Sequence, residues 1–355
     1  MRLTKRLLRQ RAIGNTMFPP TSLNNAFRRL GFVQADPIRS PARAQDLILR
    51  HRIKGYRAGD LEALYPKLKL EEDYLYAYGF MSHSLWNILH PRPKIDLSAD
   101  EQRLFDVVSA HRRIHPRELE AYFGRKREIN AWGSYSKATT RTLQSLHYHG
   151  FLRVAGRENG IRLYEPIATQ HDEVDAGERL TKLVLLIAGI LGPLPVRSLR
   201  LVLQHLAYAS PSLPGRKSVV TELQKSGKLK SAVVDDIRYV WPTGRSAPPQ
   251  VNEIVRFLAP FDPVVWDRHR FEHLWGWAYR FEAYTPPAKR KLGYYAMPIS
   301  WKDDMIGWVN IAHKNGQMDV EQGFVRGRPT DRLFSQKFDA EVERFREFLQ
   351  KRPSQ

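Results

Sequence analysis

The sequence predicts an α+β protein: tandem winged helix-turn-helix motifs, then a C-terminal antiparallel β-lobe with a closing helix. Three observations carry this reading. A pattern of helices followed by a short strand or a hairpin recurs three times before residue 243. After the polar stretch 243–249 the composition shifts to alternating strands, with Asn315-Gly316 supplying a hairpin turn. The chain then ends on a run that sets Phe334, Phe338, Val342, Phe345 and Leu349 at helical spacing. The expected domains are a first winged helix with a catalytic strand (1–72), an aromatic helical connector (73–100), a second winged helix (101–170), a third (171–242), and the β-lobe with its helix (243–355).

Taken in order, Leu3, Leu7 and Leu8 among Arg2, Lys5, Arg6, Arg9 and Arg11 give a helix with one buried stripe and a basic back, which Gly14 is expected to break. Pro19, Pro20 and Thr21 open a second helix that runs to Leu30, and residues 32–36 read as a short strand. Residues 73–90, DYLYAYGFMSHSLWNILH, read as an aromatic-rich helix that packs an interdomain seam and ends at Pro91-Arg92-Pro93. The second copy offers helices over 102–111, from His115, and around 139–149; FLRVAGRENGIRLYEP follows as two strands joined by Glu158-Asn159-Gly160, which is how a wing reads. In the third copy, helices over 180–191 and 196–207 precede a candidate recognition helix at 217–225 and a wing around Asp235-Asp236.

The chain carries 57 Lys+Arg against 37 Asp+Glu, a formal charge of +20 that is spread along its length. With 42% hydrophobic residues this describes a folded protein with positive faces, and nucleic acid is the leading polyanionic partner. Cysteine is absent, which excludes disulfides, thiol nucleophiles and Cys-ligated metal. The pairs His111/His115 and His147/His149 lack the acidic companions of a metal site, so no metal and no cofactor are expected. The N-terminus, MRLTKRLLRQRA, has no apolar signal core, and the longest apolar run, 183–191, is too short to span a bilayer. A cytoplasmic, nucleoid-associated location with no membrane partner is therefore expected.

The candidate site lies in GFVQADPIRSPARAQDLILRHRIKGY, residues 31–56. Alternation along the strand sets Gln34 and Asp36 on one face, and Pro37 then fixes the chain beyond them. A carboxylate and a carboxamide two residues apart can hold a water molecule between them. Arg39, Arg43, Arg50, Arg52 and Lys54 follow, so a site there faces a polyanion. Lys217 at the recognition helix, Arg268 and Arg270 after Trp266-Asp267, and Lys289-Arg290-Lys291 on a turn are the further candidates for phosphate contact.

Together, Gln34-Ala35-Asp36, the repeated winged helices and the block FLAPFDPVVWDRHRFEHLWGWAYRFEAYTPPAKRKLGYY resemble the YcaQ/AlkZ (AlkX-like) family of DNA glycosylases over nearly the whole chain. That family carries Gln-x-Gln or Gln-x-Asp, and this chain resembles the Gln-x-Asp branch. The resemblance implies that Gln34 and Asp36 are the catalytic pair. It also implies that the substrate is double-stranded DNA carrying N7-alkylpurines or interstrand crosslinks. The chemistry is compatible: alkylation at N7 places a positive charge on the purine, which then leaves without a general acid. One carboxylate is enough to accept a proton from water and to stabilise an oxocarbenium-like sugar, with the amide orienting the water. A lyase step requires an amine, and Lys54, the only lysine nearby in sequence, suits phosphate contact better, so a monofunctional hydrolase is expected. The competing reading is a non-enzymatic winged-helix transcriptional regulator. Three winged helices in one chain remove the usual reason to dimerise on a palindrome, so a monomer is expected.

Overall fold

The computed structural model describes residues 3–90, 92, 95–124, 127–129, 135–167, 175–244, 253–314 and 317–350. The first unit opens with α1 (Lys5–Thr16), whose N-terminus is capped by the Thr4 hydroxyl. The helix runs straight through Gly14, against expectation. Leu8, Ala12 and Thr16 are buried on one side of it, and that burial outweighs the ~1 kcal/mol a mid-helix glycine costs. Helix α2 (Leu23–Leu30) stops at Gly31, where φ is +75° and a Cβ would come within 2.7 Å of Leu186.

Strand β1 (Phe32–Gln34), short helices α3 (Ala44–Leu49) and α4 (Asp60–Leu64), and the hairpin of β2 (Leu70–Tyr74) and β3 (Tyr78–Ser82) follow, with sheet order β1-β3-β2. The helix expected over 73–90 is thus mostly a hairpin, and only α5 (His83–Leu89) is helical. Tyr and Phe favour a half-buried pleated surface at least as well as a helix, and the β1 edge provides one. Strand β2 also runs across the boundary expected at 72.

The second unit holds α6 (Ala99–His111), opened by a Ser98/Glu101 capping box, then α7 (Glu120–Phe123), a small hairpin of β4 (Arg127–Ile129) and β5 (Tyr135–Lys137), and α8 (Ala138–Tyr148). Strands β6 (Leu152–Glu158) and β7 (Ile161–Pro166) form a hairpin that turns at Asn159 and Gly160, with φ of +49° and +83° as anticipated. The third unit, α9 (Ala176–Leu191), β8 (Leu194–Pro195), α10 (Val196–Ala209), α11 (Val219–Lys225), β9 (Leu229–Val234) and β10 (Ile237–Pro242), forms the sheet β8-β10-β9. It turns at Asp235 and Asp236, both at positive φ.

The last region is a four-stranded antiparallel sheet in chain order, β11 (Val255–Phe257), β12 (Met297–Trp301), β13 (Asp304–Lys314) and β14 (Gln317–Phe324), with α12 (Arg268–Trp275) between β11 and β12. The expected Asn315-Gly316 turn lies outside the described residues, although Lys314 pairs with Gln317 on either side of it. The closing helix α13 (Arg332–Leu349) buries Phe334, Phe338 and Phe345 as expected. Glu341 and Phe348 are more buried than Val342 and Leu349. Glu341 is inside because it accepts from both Arg50 terminal nitrogens, at 2.8 and 2.7 Å, and from the Phe257 N–H.

A single apolar core joins the β-lobe to the first two units, and a second joins the third unit to the β2–β3 hairpin and α5. Ion pairs reinforce both seams. Glu71, Glu72 and Asp73, consecutive on β2 and all buried, accept from Arg153 (2.9 Å), Arg157 (2.8 Å) and Arg92 (3.0 Å) respectively. No helix among the described residues is long and apolar enough to cross a membrane.

Candidate active site

Strand β1 is clamped against β3 where Gln34 pairs with Gly79. A Cβ on Gly79 would fall 2.4 Å from the Val33 carbonyl oxygen and 2.6 Å from the Phe32 ring, so a side chain there would push the strands apart. The Ala35 N–H donates to the Tyr78 carbonyl (2.9 Å), carrying the pairing one residue past the strand. The strand itself stops at Gln34, short of the Asp36 end expected from alternation. Proline at 37 frees the chain from the ladder. The direction of Asp36 is set instead by a local turn in which its Oδ1 accepts the Ile38 N–H at 2.9 Å.

Gln34 is fixed from the far end of the chain. Its Oε1 accepts the indole N–H of Trp266 at 2.9 Å. An indole nitrogen can only donate, so the amide oxygen faces Trp266 and the NH2 is left to donate elsewhere. Trp266 is held in turn: its backbone N–H donates to the Asp262 carbonyl (2.8 Å), and its ring meets Tyr76 edge-on at 5.1 Å. The Asp262 carboxylate is completely buried and accepts from both terminal nitrogens of Arg52, at 2.8 and 3.1 Å. A chain of contacts therefore runs from Arg52 through the 262–266 loop to Gln34. Arg52, read from the sequence as part of a basic surface, is an internal brace, and Arg50 is likewise enclosed against Glu341.

Burial raises the Asp36 pKa above its usual 3.8, and the Ile38 N–H pulls it partly back. Three tyrosines that the sequence reading did not single out lie on the 281–295 segment, two of them electrostatically coupled to this carboxylate. Tyr295 is buried and has no hydrogen-bond partner for its hydroxyl among the described residues, whereas Tyr284 is exposed; both feel the Asp36 charge. Tyr294 is covered by the Arg290 guanidinium, 5.0 Å from the ring centre. The density of aromatics in the 258–295 block is the only sequence signal that points to them.

Tyr284 and Tyr294 flank the turn at Lys289-Arg290-Lys291 in the chain. Buried Glu282 shapes that turn by accepting the Lys291 and Leu292 N–H groups at 2.8 and 2.7 Å, and Arg290 Nε donates to the Thr285 carbonyl at 2.8 Å. Lys289 and Lys291 remain exposed. Arg39 is exposed too, while Arg43 is largely enclosed and paired with Glu62. Both guanidinium groups lie against the tip of the β6–β7 hairpin, where a Cβ on Gly160 would meet them at 2.6 and 2.3 Å. Burial, with Arg39 and Arg157 nearby, lowers the Arg43 pKa.

Other expected phosphate contacts are elsewhere or otherwise engaged. Lys54 and Lys217 are exposed, and neither forms an ion pair among the described residues. Arg270 is 1% exposed and donates to the carbonyls of Pro263 and Val264 at 2.6 and 2.8 Å and to that of Leu191. Arg268 donates to the Pro260 carbonyl at 2.9 Å and to that of Val265 and lies over the Tyr279 ring. Both arginines hold the loop that carries Trp266, and the complete enclosure of Arg270 there corrects the phosphate contact expected of it, whereas Arg268 is half-buried.

Comparison with known proteins bears on the fold and the family. The solved structure of the Streptomyces sahachiroi DNA glycosylase AlkZ superposes with a TM-score of 0.63 at 14% identity, over 98% of this chain and 97% of that one, and so shares the fold. A family model described as DNA glycosylase AlkZ-like matches residues 27–348, a span that takes in Gln34, Asp36, Trp266 and the 289–291 turn. The chain is a DNA glycosylase and belongs to the AlkZ-like family.

Proposed function

We propose that the protein hydrolyses the N-glycosidic bond of N7-alkylated purines in double-stranded DNA, including those tethered in interstrand crosslinks, and leaves an abasic site. The observation that carries this is the pairing of a half-buried carboxylate with an amide of fixed orientation: Asp36 on its turn, and Gln34 with its oxygen held by Trp266. The NH2 of Gln34 donates to a lone pair of the attacking water, and Asp36 accepts the proton that water loses as its oxygen bonds to the sugar. The same carboxylate charge offsets the oxocarbenium character that develops as the base departs. The N7-alkylated purine carries its own positive charge and takes the bonding electrons as it leaves, so no acid is needed on that side.

In this reading the three helix-and-hairpin units are winged helices that grip the duplex with Arg39, Lys54, Lys217 and the 289–291 turn. The enzyme acts as a monomer on the cytoplasmic nucleoid. Among the described residues no hydrogen bond or ion pair joins a lysine amine to Gln34 or Asp36, which favours hydrolysis over a lyase step. A crosslink ties two bases together and resists extrusion into a closed pocket, which fits a carboxylate that is only half covered.

The test is direct. Purified protein is incubated with duplexes containing N7-methylguanine or a nitrogen-mustard crosslink, and the products are treated with alkali and run on a denaturing gel. Alkali-sensitive sites at the modified guanine and loss of the slow crosslinked band are the expected results. Intact glycosidic bonds in both substrates would sink the proposal.

A further inference from the structure

Tyr284 is 78% exposed, more than any other large apolar side chain that stands out from the described surface. It is nevertheless not loose. Its ring meets Phe281 edge-on at 6.1 Å, and Phe281 is braced by Phe261 at 5.1 Å and Tyr295 at 5.2 Å. The Thr285 N–H donates to the Glu282 carbonyl at 2.9 Å, so the backbone beside the ring is turned and fixed. Contacts tie this segment to the motif strand: Phe261, against Phe281, adjoins Asp262, whose carbonyl accepts the backbone N–H of Trp266, and the Trp266 indole donates to Gln34. Burial, and after it the negative charge of Asp36, raise the pKa of the Tyr284 phenol. Lys289 and Lys291 stand exposed on the same segment, within seven residues. An exposed aromatic ring and a basic turn thus share one segment, which is joined through Trp266 to the strand that leads into Asp36.

We infer that the Tyr284 ring is the seat of the departing base: its open face takes the positively charged purine by stacking and cation–π attraction, while Asp36 addresses the sugar and the basic turn holds the flanking phosphates. This rests on the N7-alkylpurine reading above and adds how the damaged base is told from the others. A neutral purine stacks on a phenol ring as well; only a cationic one gains the additional attraction to the ring's negative face and to the nearby carboxylate. The seat is on the surface, so a purine still tied to the opposite strand can reach it.

The experiment measures binding to duplexes whose target nucleotide carries a 2′-fluoroarabino sugar, which blocks cleavage, with either N7-methylguanine or guanine as the base. Tyr284→Leu should lose about fivefold of the preference for the methylated site, the size of one exposed cation–π contact, while binding to both duplexes weakens by the stacking that the two bases share. Tyr284→Phe, which keeps the ring, should stay within about twofold of wild type. Neither change should move the unfolding midpoint, because the side chain is exposed. An undiminished preference in Tyr284→Leu, alongside normal cleavage of ordinary N7-methylguanine DNA by the wild type, would overturn the inference alone. Absence of both preference and cleavage in the wild type would bring down the catalytic reading as well.

Discussion

At Asp36 burial works against charge, and the single Ile38 N–H only partly relieves it. A carboxyl whose pKa is raised on folding stabilises the fold below its unfolded value of 3.8, and this contribution is lost as pH rises through the folded value. At neutral pH the ionised Asp36 is therefore held at some cost to the fold. Asp36→Asn should unfold at the same or a higher temperature than wild type at pH 7.5, while excision falls by about 100-fold or more and DNA affinity stays within about threefold. Full turnover by this variant would remove the catalytic role assigned to the carboxylate. Gln34→Ala should be milder, since an amide places the water but carries no charge. The pH profile follows from the same shift. The rate constant for base release should fall as pH drops through a value above 3.8, because protonated Asp36 cannot accept the proton from water. An acid limb at or below the value of a free aspartate would contradict the buried setting.

The elements that were legible in the sequence are those whose pattern and burial agree locally. The phenylalanines of α13, the apolar run of α9 and the turns at Asn159-Gly160 and Asp235-Asp236 each declare a period or a positive-φ turn. The β2–β3 hairpin was not legible. Its aromatics suit helix or strand, and Glu71-Glu72-Asp73 looks like a solvated run until arginines from 19 to 85 residues away close over it. The candidate site divides in the same way. Gln34 and Asp36 are readable as a motif, but the orientation of Gln34 depends on a residue 232 positions later, which no local pattern reveals. The acid stripe also makes a prediction at this scale. Burial alone would raise the Asp73 pKa, yet Arg92, His90 and His147 together hold it well below the carboxylate range. Asp73→Ala would leave the Arg92 guanidinium buried without its counter-charge and should cost about 3–5 kcal/mol, read as a lower urea midpoint of the full chain. A midpoint within error of wild type would show that the stripe contributes nothing to the seam.

For the whole molecule the excess of +20 sets how it meets DNA. If about six phosphates are neutralised, affinity for undamaged duplex should fall by roughly 10³ between 50 and 200 mM salt, with little dependence on base sequence. A flat salt response would mean that the positive faces are not the binding surface. The same site should release N7-alkylguanines and leave uracil and 8-oxoguanine attached, because a neutral base lacks both a charge to leave with and an acid to protonate it, a loss of about 10²–10⁴ from the acid alone. Brisk removal of uracil would reveal a second proton donor. The bond between Trp266 and Gln34 also has a consequence in time. At ~5–20 residues per second of synthesis, roughly 10–50 s separate the appearance of Gln34 from that of the tryptophan that orients it. Throughout that interval a growing chain carries both motif residues without a set amide, and a product terminated before Trp266 keeps the motif but stays in that unset condition. On the proposed mechanism, competence to release a base is thereby tied to translation having passed Trp266, and a chain aborted before it carries Gln34-Ala35-Asp36 as an inert fragment.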